Sequence, residues 1–422
     1  MQTQRAQVPL LQKLGPGLIT GAADDDPSGI ATYSQAGAQF GYGLLWSVAL
    51  TTPLMIGIQV VSARIGRVSG HGLAANIRDH YPRPLLYLIV GLLVAANTIN
   101  VAADLGAMGD ALVLVAGGNS SIYIVFFALL SLTLQIFIPF PRYAPVLKWL
   151  TLALFAYVGT VLVVRFPVHV LRDTLVPQLL WQPDYVGMLV AVLGTTISPY
   201  LFFWQASQEV EEQRATPGHE PLREAPGQAD EHLQRIKVDT YIGMMFSNLI
   251  AFCIMLTTAA TLHGAGVVQI DSAAQAAAAL RPLAGELAFA LFAAGIIGTG
   301  LLAVPVLAGS AAYAVAESFR WPIGLGLKLA EARGFYAVLS IATIVGVAID
   351  LTGVDSMKVL IWAAVINGAV AVPIMAVMML LAVKPDVMGP FVITRRLRAL
   401  GWVAVVVMAA SVAAMLILGL PG

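Results

Sequence analysis

The chain has 422 residues, 59% of them hydrophobic and only 11% charged, with 23 basic and 23 acidic side chains and a mean hydropathy of +0.83. Soluble domains carry about 25% charged residues, so this chain cannot cover a water-facing surface and needs a lipid bilayer as part of its solvent. Zero net charge gives no sign of a nucleic-acid partner. The single cysteine, Cys253 in an apolar run, excludes an intramolecular disulfide and a cysteine-rich metal site.

A spanning helix needs about 20 mostly apolar residues. The apolar runs predict eleven spans, at 14–43, 45–66, 84–115, 120–140, 146–166, 185–207, 238–262, 285–317, 335–351, 356–383 and 398–420. The polar first dozen residues and the acidic stretch after the first apolar run do not read as a cleavable leader. With the N-terminus in the cytoplasm, 19 of the 23 Lys and Arg residues fall on cytoplasmic loops and helix ends; only Arg165, Arg172, Arg281 and Lys358 fall outside. That asymmetry follows the positive-inside rule. It predicts a multi-pass protein of the cytoplasmic (plasma) membrane, with its C-terminus outside. Residues 208–237, rich in charge, proline and glycine, read as a mobile cytoplasmic linker. Residues 263–284, outside, hold a candidate amphipathic segment.

Two spans carry breaks at their middles. The first reads GPGLITGAADDDPSGIATYSQAGAQFGYG, with Asp24, Asp25 and Asp26 before Pro27; the sixth reads GMLVAVLGTTISPYLFFWQAS, with Thr195, Thr196 and Ser198 before Pro199. Proline removes a backbone donor and turns the residue before it away from helix. Paired breaks at the start of two five-helix halves predict an inverted repeat: one half about 14–166, the other about 185–383, and an extra helix at 398–420, all in one transmembrane transporter domain spanning 1–422. In such folds the broken helices meet at mid-membrane and bind the cargo. Ionisable groups there are expensive and usually functional. Three adjacent carboxylates favour a cationic cargo, because without a cation they cannot all stay charged. For Asp24 and Asp25 a plain role, capping a half-helix or facing a vestibule, stands beside the functional one.

Long stretches resemble the natural resistance-associated macrophage protein (Nramp) family of divalent-metal transporters. GPGLITGAADDDPSGIATYSQAGAQFGYGLLW is similar to that family's first helix with its Asp-Pro-Gly-Asn signature, and QVVSARIGRVSGHGLAANIRDHYP to its second helix and following loop. HGAGVVQID, the pattern Leu307, Ala308, Gly309 and Glu317, and KPDVMGPF fit too. The resemblance implies an all-α polytopic membrane protein with 11 transmembrane helices in a LeuT-like 5+5 inverted repeat with helices 1 and 6 discontinuous. It also implies cation transport.

The resemblance places the family's metal-binding aspartate on Asp26. The family's asparagine three residues on falls on Gly29, and Ser28 replaces the intervening glycine. The sixth-helix Met-Pro-His falls on Ser198, Pro199 and Tyr200, the carbonyl ligand on Thr195, and a second histidine on Gln205; the tenth-helix glutamine has no counterpart near Leu360–Trp362. A thioether helps select transition metals, and a serine hydroxyl selects nothing soft. The expected substrate site is therefore Asp25, Asp26, Ser28, Thr195 and Ser198, with Asp26, Thr195 and Ser198 on the metal. All six histidines lie in loops or at helix ends. Asp24 and Asp104 are the candidates for a proton path, Asp104 lying near a family carboxylate linked to proton movement. The other reading of Asp104 is a satisfied contact between helices, one turn from Asn100. Tyr200, Phe202, Phe203 and Trp204 could gate the site, though helix packing is the favoured reading. Asn248 and Asn367 read as interhelical hydrogen-bonding amides.

These residues favour a transporter or facilitator for a hard divalent cation, Mg²⁺ or Mn²⁺, with weak or no proton coupling. An all-oxygen site suits Mg²⁺, which dehydrates reluctantly. The resemblance extends to a magnesium-transporting branch that lacks the methionine, from which Gly29 departs. The alternatives are a proton-coupled Mn²⁺ or Fe²⁺ importer, a fold repurposed for an organic cation or amino acid, and a non-transporting sensor, which the lack of a folded cytoplasmic domain disfavours. No nucleophile–base pair, zinc spacing or nucleotide motif is present, so no enzyme is expected. No cofactor is expected beyond the transported ion, and no partner beyond that ion and the lipid bilayer.

Overall fold

The computed structural model describes residues 15–140, 142–143, 151–167, 170, 172 and 176–420. The start of the first expected span (Leu14), the start of the fifth (146–150), and Arg5, Lys13, Lys148 and His169 lie outside the described residues.

In chain order the helices are α1 (Pro16–Asp24), α2 (Pro27–Phe40), α3 (Leu45–Ser69), α4 (Leu73–His80), α5 (Arg83–Ala116), α6 (Ser120–Phe137), α7 (Phe155–Val163), α8 (Pro183–Thr196), α9 (Pro199–Ala215), α10 (Ala229–Thr261), α11 (Ala273–Ala278), α12 (Arg281–Ala284), α13 (Ala288–Ser318), α14 (Arg333–Asp350), α15 (Ser356–Leu381), α16 (Pro385–Met388) and α17 (Arg395–Leu418). Every described residue in an ordered element is helical. Among them, 9 continuous stretches are long and apolar enough to cross a membrane. One of these, Pro27–Ser69, joins the second half of the first expected span to the whole second span through a 3-10 turn at Gly41–Leu44. The fifth span is shorter because only its later part is described. The remaining boundaries agree with the apolar runs to within a few residues, except that the sixth span continues to Ala215 and the seventh begins at Ala229.

Both expected breaks are present, and their backbones follow the same path. α1 ends at Asp24; Asp25 (φ −82°, ψ 50°) turns the chain, Asp26 (φ −68°, ψ 169°) is extended, and Pro27 opens α2. α8 ends at Thr196; Ile197 (φ −118°, ψ 65°) turns, Ser198 (φ −82°, ψ 130°) is extended, and Pro199 opens α9. Proline fits the first helical position, where its missing N–H would be unsatisfied anyway. It forces its predecessor into extended backbone. Each break therefore sets the carboxyl-terminal end of one half-helix beside the amino-terminal end of the next.

Glycines let these half-helices approach their neighbours. A Cβ at Gly21 would lie 2.3 Å from the Gly243 carbonyl oxygen, and one at Gly243 would lie 2.2 Å from the Gly17 carbonyl oxygen, so α1 and α10 touch backbone to backbone. Gly194 of α8 meets Ala364 and Gly368 of α15 in the same way. Small residues at such crossings replace the hydrophobic drive that lipid cannot supply. α5 packs against α13, α14 and α15, and α17 lies outside, against α3 and α15.

The 208–237 stretch departs from expectation. Its first eight residues continue α9 and its last nine begin α10, leaving 216–228 irregular. That segment is docked: Leu222 is fully buried, and the Leu222 and Arg223 amides donate to the Arg67 and Val68 carbonyls of α3. The expectation of a mobile linker is corrected, because an apolar anchor and two backbone hydrogen bonds fix it. The short helix α11 fills the candidate amphipathic segment within 263–284.

Candidate cation site at the paired helix breaks

Asp26 sits at the crossing of the two breaks and is 2% exposed. It caps α2, its Oδ1 accepting from the Gly29 amide at 2.6 Å. The positive end of a helix is a favourable place for a carboxylate. Its Oδ2 accepts from the Tyr200 hydroxyl at 3.2 Å, and that hydroxyl also lies 3.0 Å from the Ala23 carbonyl. Tyr200 is thus part of the site, a correction to the packing reading. It is the second residue of α9, so the Pro199 break itself aims it at Asp26.

Ser198 and Thr195 come to the site as expected but are partly committed. The Ser198 hydroxyl donates to the Gly194 and Thr195 carbonyls at 2.8 and 2.9 Å. The carbonyl expected to bind a cation therefore already accepts one hydrogen bond, while the Ser198 lone pairs stay open. The Thr195 hydroxyl faces Gly29, where a Cβ would lie 3.1 Å from Oγ1 and 3.4 Å from Asp26 Oδ1. A side chain at position 29 would crowd the acid, so the missing asparagine and the threonine are sterically linked. Ser28 turns to α15 and donates to the Leu360 carbonyl at 2.8 Å. Tyr33 and Thr196, 3.0 Å apart, tie α2 to α8.

The other two aspartates face α10. The Ser247 hydroxyl donates to Asp24 Oδ2 at 2.5 Å and lies 3.3 Å from Asp25 Oδ1. Asp24 Oδ1 and Asp25 Oδ2 are buried and have no hydrogen-bond partner among the described residues. Ser247, a lone serine in an apolar helix, carried no sequence signal. Asp104 of α5 is fully buried, and neither of its oxygens has a partner among the described residues. Asn100, one turn away, pairs with Asn367 through reciprocal amide bonds of 3.0 and 3.1 Å. The carboxyls of Asp26 and Asp104 both approach the Ser28 amide. Asp24 is held by Ser247 on α10, and among the described residues no direct hydrogen bond joins it to Asp104.

Among the described residues no three His, Cys, Asp or Glu side chains converge as a ready-made metal cage. The available donors are oxygens: one capped carboxylate, hydroxyls at Ser198 and Tyr200, and half-helix carbonyls. Such a set suits an ion that keeps part of its water shell.

Access to this site is unequal on the two faces. On the face bearing 216–228, Asp239 of α10 accepts from the Gly15, Gly17 and Leu18 amides at 3.0, 2.7 and 3.0 Å and clamps the start of α1. Arg235 pairs with Glu209 at 2.5 Å and Glu212 at 2.7 Å, tying α10 to α9. Glu317 accepts from the Ala75 amide at 3.0 Å and the Ser207 hydroxyl at 3.2 Å, joining α13, α4 and α9. On the other face a small cavity of about 20 Å³ is walled in part by Pro27 and Leu360 beside the break.

Known proteins are similar to this chain over most of its length. A divalent metal cation transporter, MntH of Deinococcus radiodurans, is 30% identical over 412 residues, 95% of this chain and 88% of that protein. MntH of Klebsiella pneumoniae subsp. pneumoniae is 28% identical over 417 residues, 97% of this chain and 94% of its own. Crystal structures of a manganese transporter from Eremococcus coleocola superpose with a TM-score of 0.71 at 19% identity, covering 96% of this chain and 85% of theirs. Mhp1, a nucleobase-cation-symport-1 family transporter, gives a TM-score of 0.56 at 11% identity over 96% of this chain and 92% of its own, which places the LeuT-like fold in wider company. Residues 17–418 match the natural resistance-associated macrophage protein-like family profile. The chain belongs to the Nramp family.

Proposed function

We propose that this protein carries a divalent metal cation across the cytoplasmic membrane by alternating access. Its cargo in this reading is a hard ion, Mg²⁺ or Mn²⁺, moved with weak or no proton coupling. The observation that carries the reading is the all-oxygen surround of Asp26. Where the family resemblance puts a thioether and an imidazole, this chain has the hydroxyls of Ser198 and Tyr200, the latter 3.2 Å from the acid. Asp26 supplies the charge. Ser198, Tyr200 and the Thr195 carbonyl supply hydrogen-bonding oxygen, to the ion or to its retained water, with Ser28 and Asp25 lining the break. In this scheme the cavity face is the outer one and the clamp of Asp239, Arg235 and Glu317 closes the inner one. The names of the MntH relatives and of the Eremococcus coleocola manganese transporter support divalent metal as the cargo class.

Uptake into proteoliposomes tests the reading. Purified protein is expected to admit Mg²⁺ and Mn²⁺ with no acidification of the lumen, and Asp26→Ala to abolish both fluxes. Failure to move either ion, or uptake unaltered by Asp26→Ala, would overturn it. A second reading, proton-coupled Mn²⁺ or Fe²⁺ import, is favoured by one observation: Asp104, buried and uncommitted near Asp26, could hold a proton. Acidification that accompanies metal flux and vanishes in Asp104→Asn would select it.

A further inference from the structure

We propose that Asp110 and Asp350 form a second cation site, at the outer end of the cavity, which gathers the ion before it reaches Asp26. The proposal rests on the reading of Asp26 as the transport site. Three observations carry it. First, Asp350, the last residue of α14, is 9% exposed, and its Oδ2 is fully buried with no hydrogen-bond partner among the described residues. A buried acceptor left unmade is costly, and no basic side chain pairs with it among the described ion pairs. It also lies at the carboxyl-terminal end of its helix, where exposed carbonyls favour a cation and disfavour a bare carboxylate.

Second, the carboxyl of Asp350 is seated against Gly106 of α5. A Cβ there would lie 2.6 Å from Oδ1 and 3.1 Å from Oδ2, so only glycine leaves room for it. Asp110 follows Gly106 by four residues and therefore lies on the same face, one turn away, roughly 6 Å along the helix. Its Oδ1 is held by the Ser120 hydroxyl at 2.6 Å, which fixes the side chain and leaves Oδ2 for a ligand.

Third, Asp110 lines a small cavity of about 20 Å³ whose wall also includes Pro27, the residue next to Asp26. Asp110 thus shares one pocket wall with Pro27 at the break, and Asp350 joins it from the Gly106 face. Two carboxylates and a helix carboxyl-terminus suit a divalent ion that keeps part of its water shell.

The test counts bound ions, with Mn²⁺ as the probe and its free signal read by electron paramagnetic resonance on the purified full chain. Wild type is expected to hold two Mn²⁺. Asp26→Ala should keep one, and this one should disappear in the Asp26→Ala, Asp350→Asn double variant. Asp350→Asn alone should keep the inner ion and, in proteoliposomes, raise the KM for Mn²⁺ roughly fivefold with little change in kcat, the scale of one partly screened charge. Gly106→Ala, which alters no charge, should displace Asp350 and give the same loss; thermal melting without metal verifies that each variant is folded. If Asp350→Asn and Asp110→Asn both keep two ions and the wild-type KM, the outer site is refuted while Asp26 stands. If Asp26→Ala instead leaves uptake intact, the transport reading fails whatever the outer pair binds.

Discussion

At the scale of single residues, the centre of the site is a contest for the oxygens of Asp26. The Gly29 amide takes one and the Tyr200 hydroxyl the other. A phenol has one proton, so when a cation takes Oδ2 the hydroxyl can donate to the Ala23 carbonyl, 3.0 Å away, and turn a lone pair to the ion. Tyr200→Phe removes that adaptable oxygen and leaves two buried acceptors short of a donor. Losing it costs about 1–3 kcal/mol, so the KM for Mg²⁺ and Mn²⁺ should rise about tenfold or more. Initial-rate uptake measures this, and an unchanged KM would return Tyr200 to a packing role. Asp26 was legible in the sequence because an acid beside a mid-span proline has few structural uses. Tyr200 was less so: an aromatic run reads as packing until the break's geometry aims one hydroxyl at the acid. Ser247 was not legible at all, since the partner of Asp24 is supplied by a helix more than two hundred residues away.

At the scale of elements, the two breaks share one backbone path, and α10 packs against both halves of the first broken helix. α1 is the one gripped by backbone contact and by a clamp, through Gly17, Gly21 and Gly243 and the three amides on Asp239. An element held at one face by glycine contacts and a single carboxylate can leave as a unit, as alternating access requires. Gly21→Ala would put a methyl carbon 2.3 Å from a main-chain oxygen that cannot rotate away. α1 must then lift from α10, at a cost of about 1–3 kcal/mol. The expected consequence is a population open on the clamped face. In a Cys253→Ala background, a Thr240→Cys reporter buried under α1 should react faster with a maleimide when Gly21→Ala is added. Equal rates would show that the crossing does not gate that face. The helices themselves were readable from apolar length. The docking of 216–228 was not, because its charge and proline content masked the single anchor at Leu222 and the two backbone bonds to α3.

At the scale of the whole molecule, the sequence distributes its cations and the structure its openings along the same axis. The clamped face carries the 216–228 segment and most of the arginines, among them Arg67, Arg214 and Arg235. The cavity face carries α11, α12 and the acidic pair. Positive loops are retained on the cytoplasmic side of a membrane, so the clamped face should be internal and the cavity external. An odd number of spans then puts the two ends of the helical core on opposite sides. Glu220 is exposed in the docked segment, and Leu420, 58% exposed, follows α17. With Cys253→Ala as background, a membrane-impermeant maleimide on intact cells should label Leu420→Cys and spare Glu220→Cys until the cells are opened. The reverse pattern would put the cavity on the cytoplasmic side. Labelling of both on intact cells would mean that the span count of eleven is wrong by one, because only an even number of crossings between these two positions and the bilayer returns the chain to the same side.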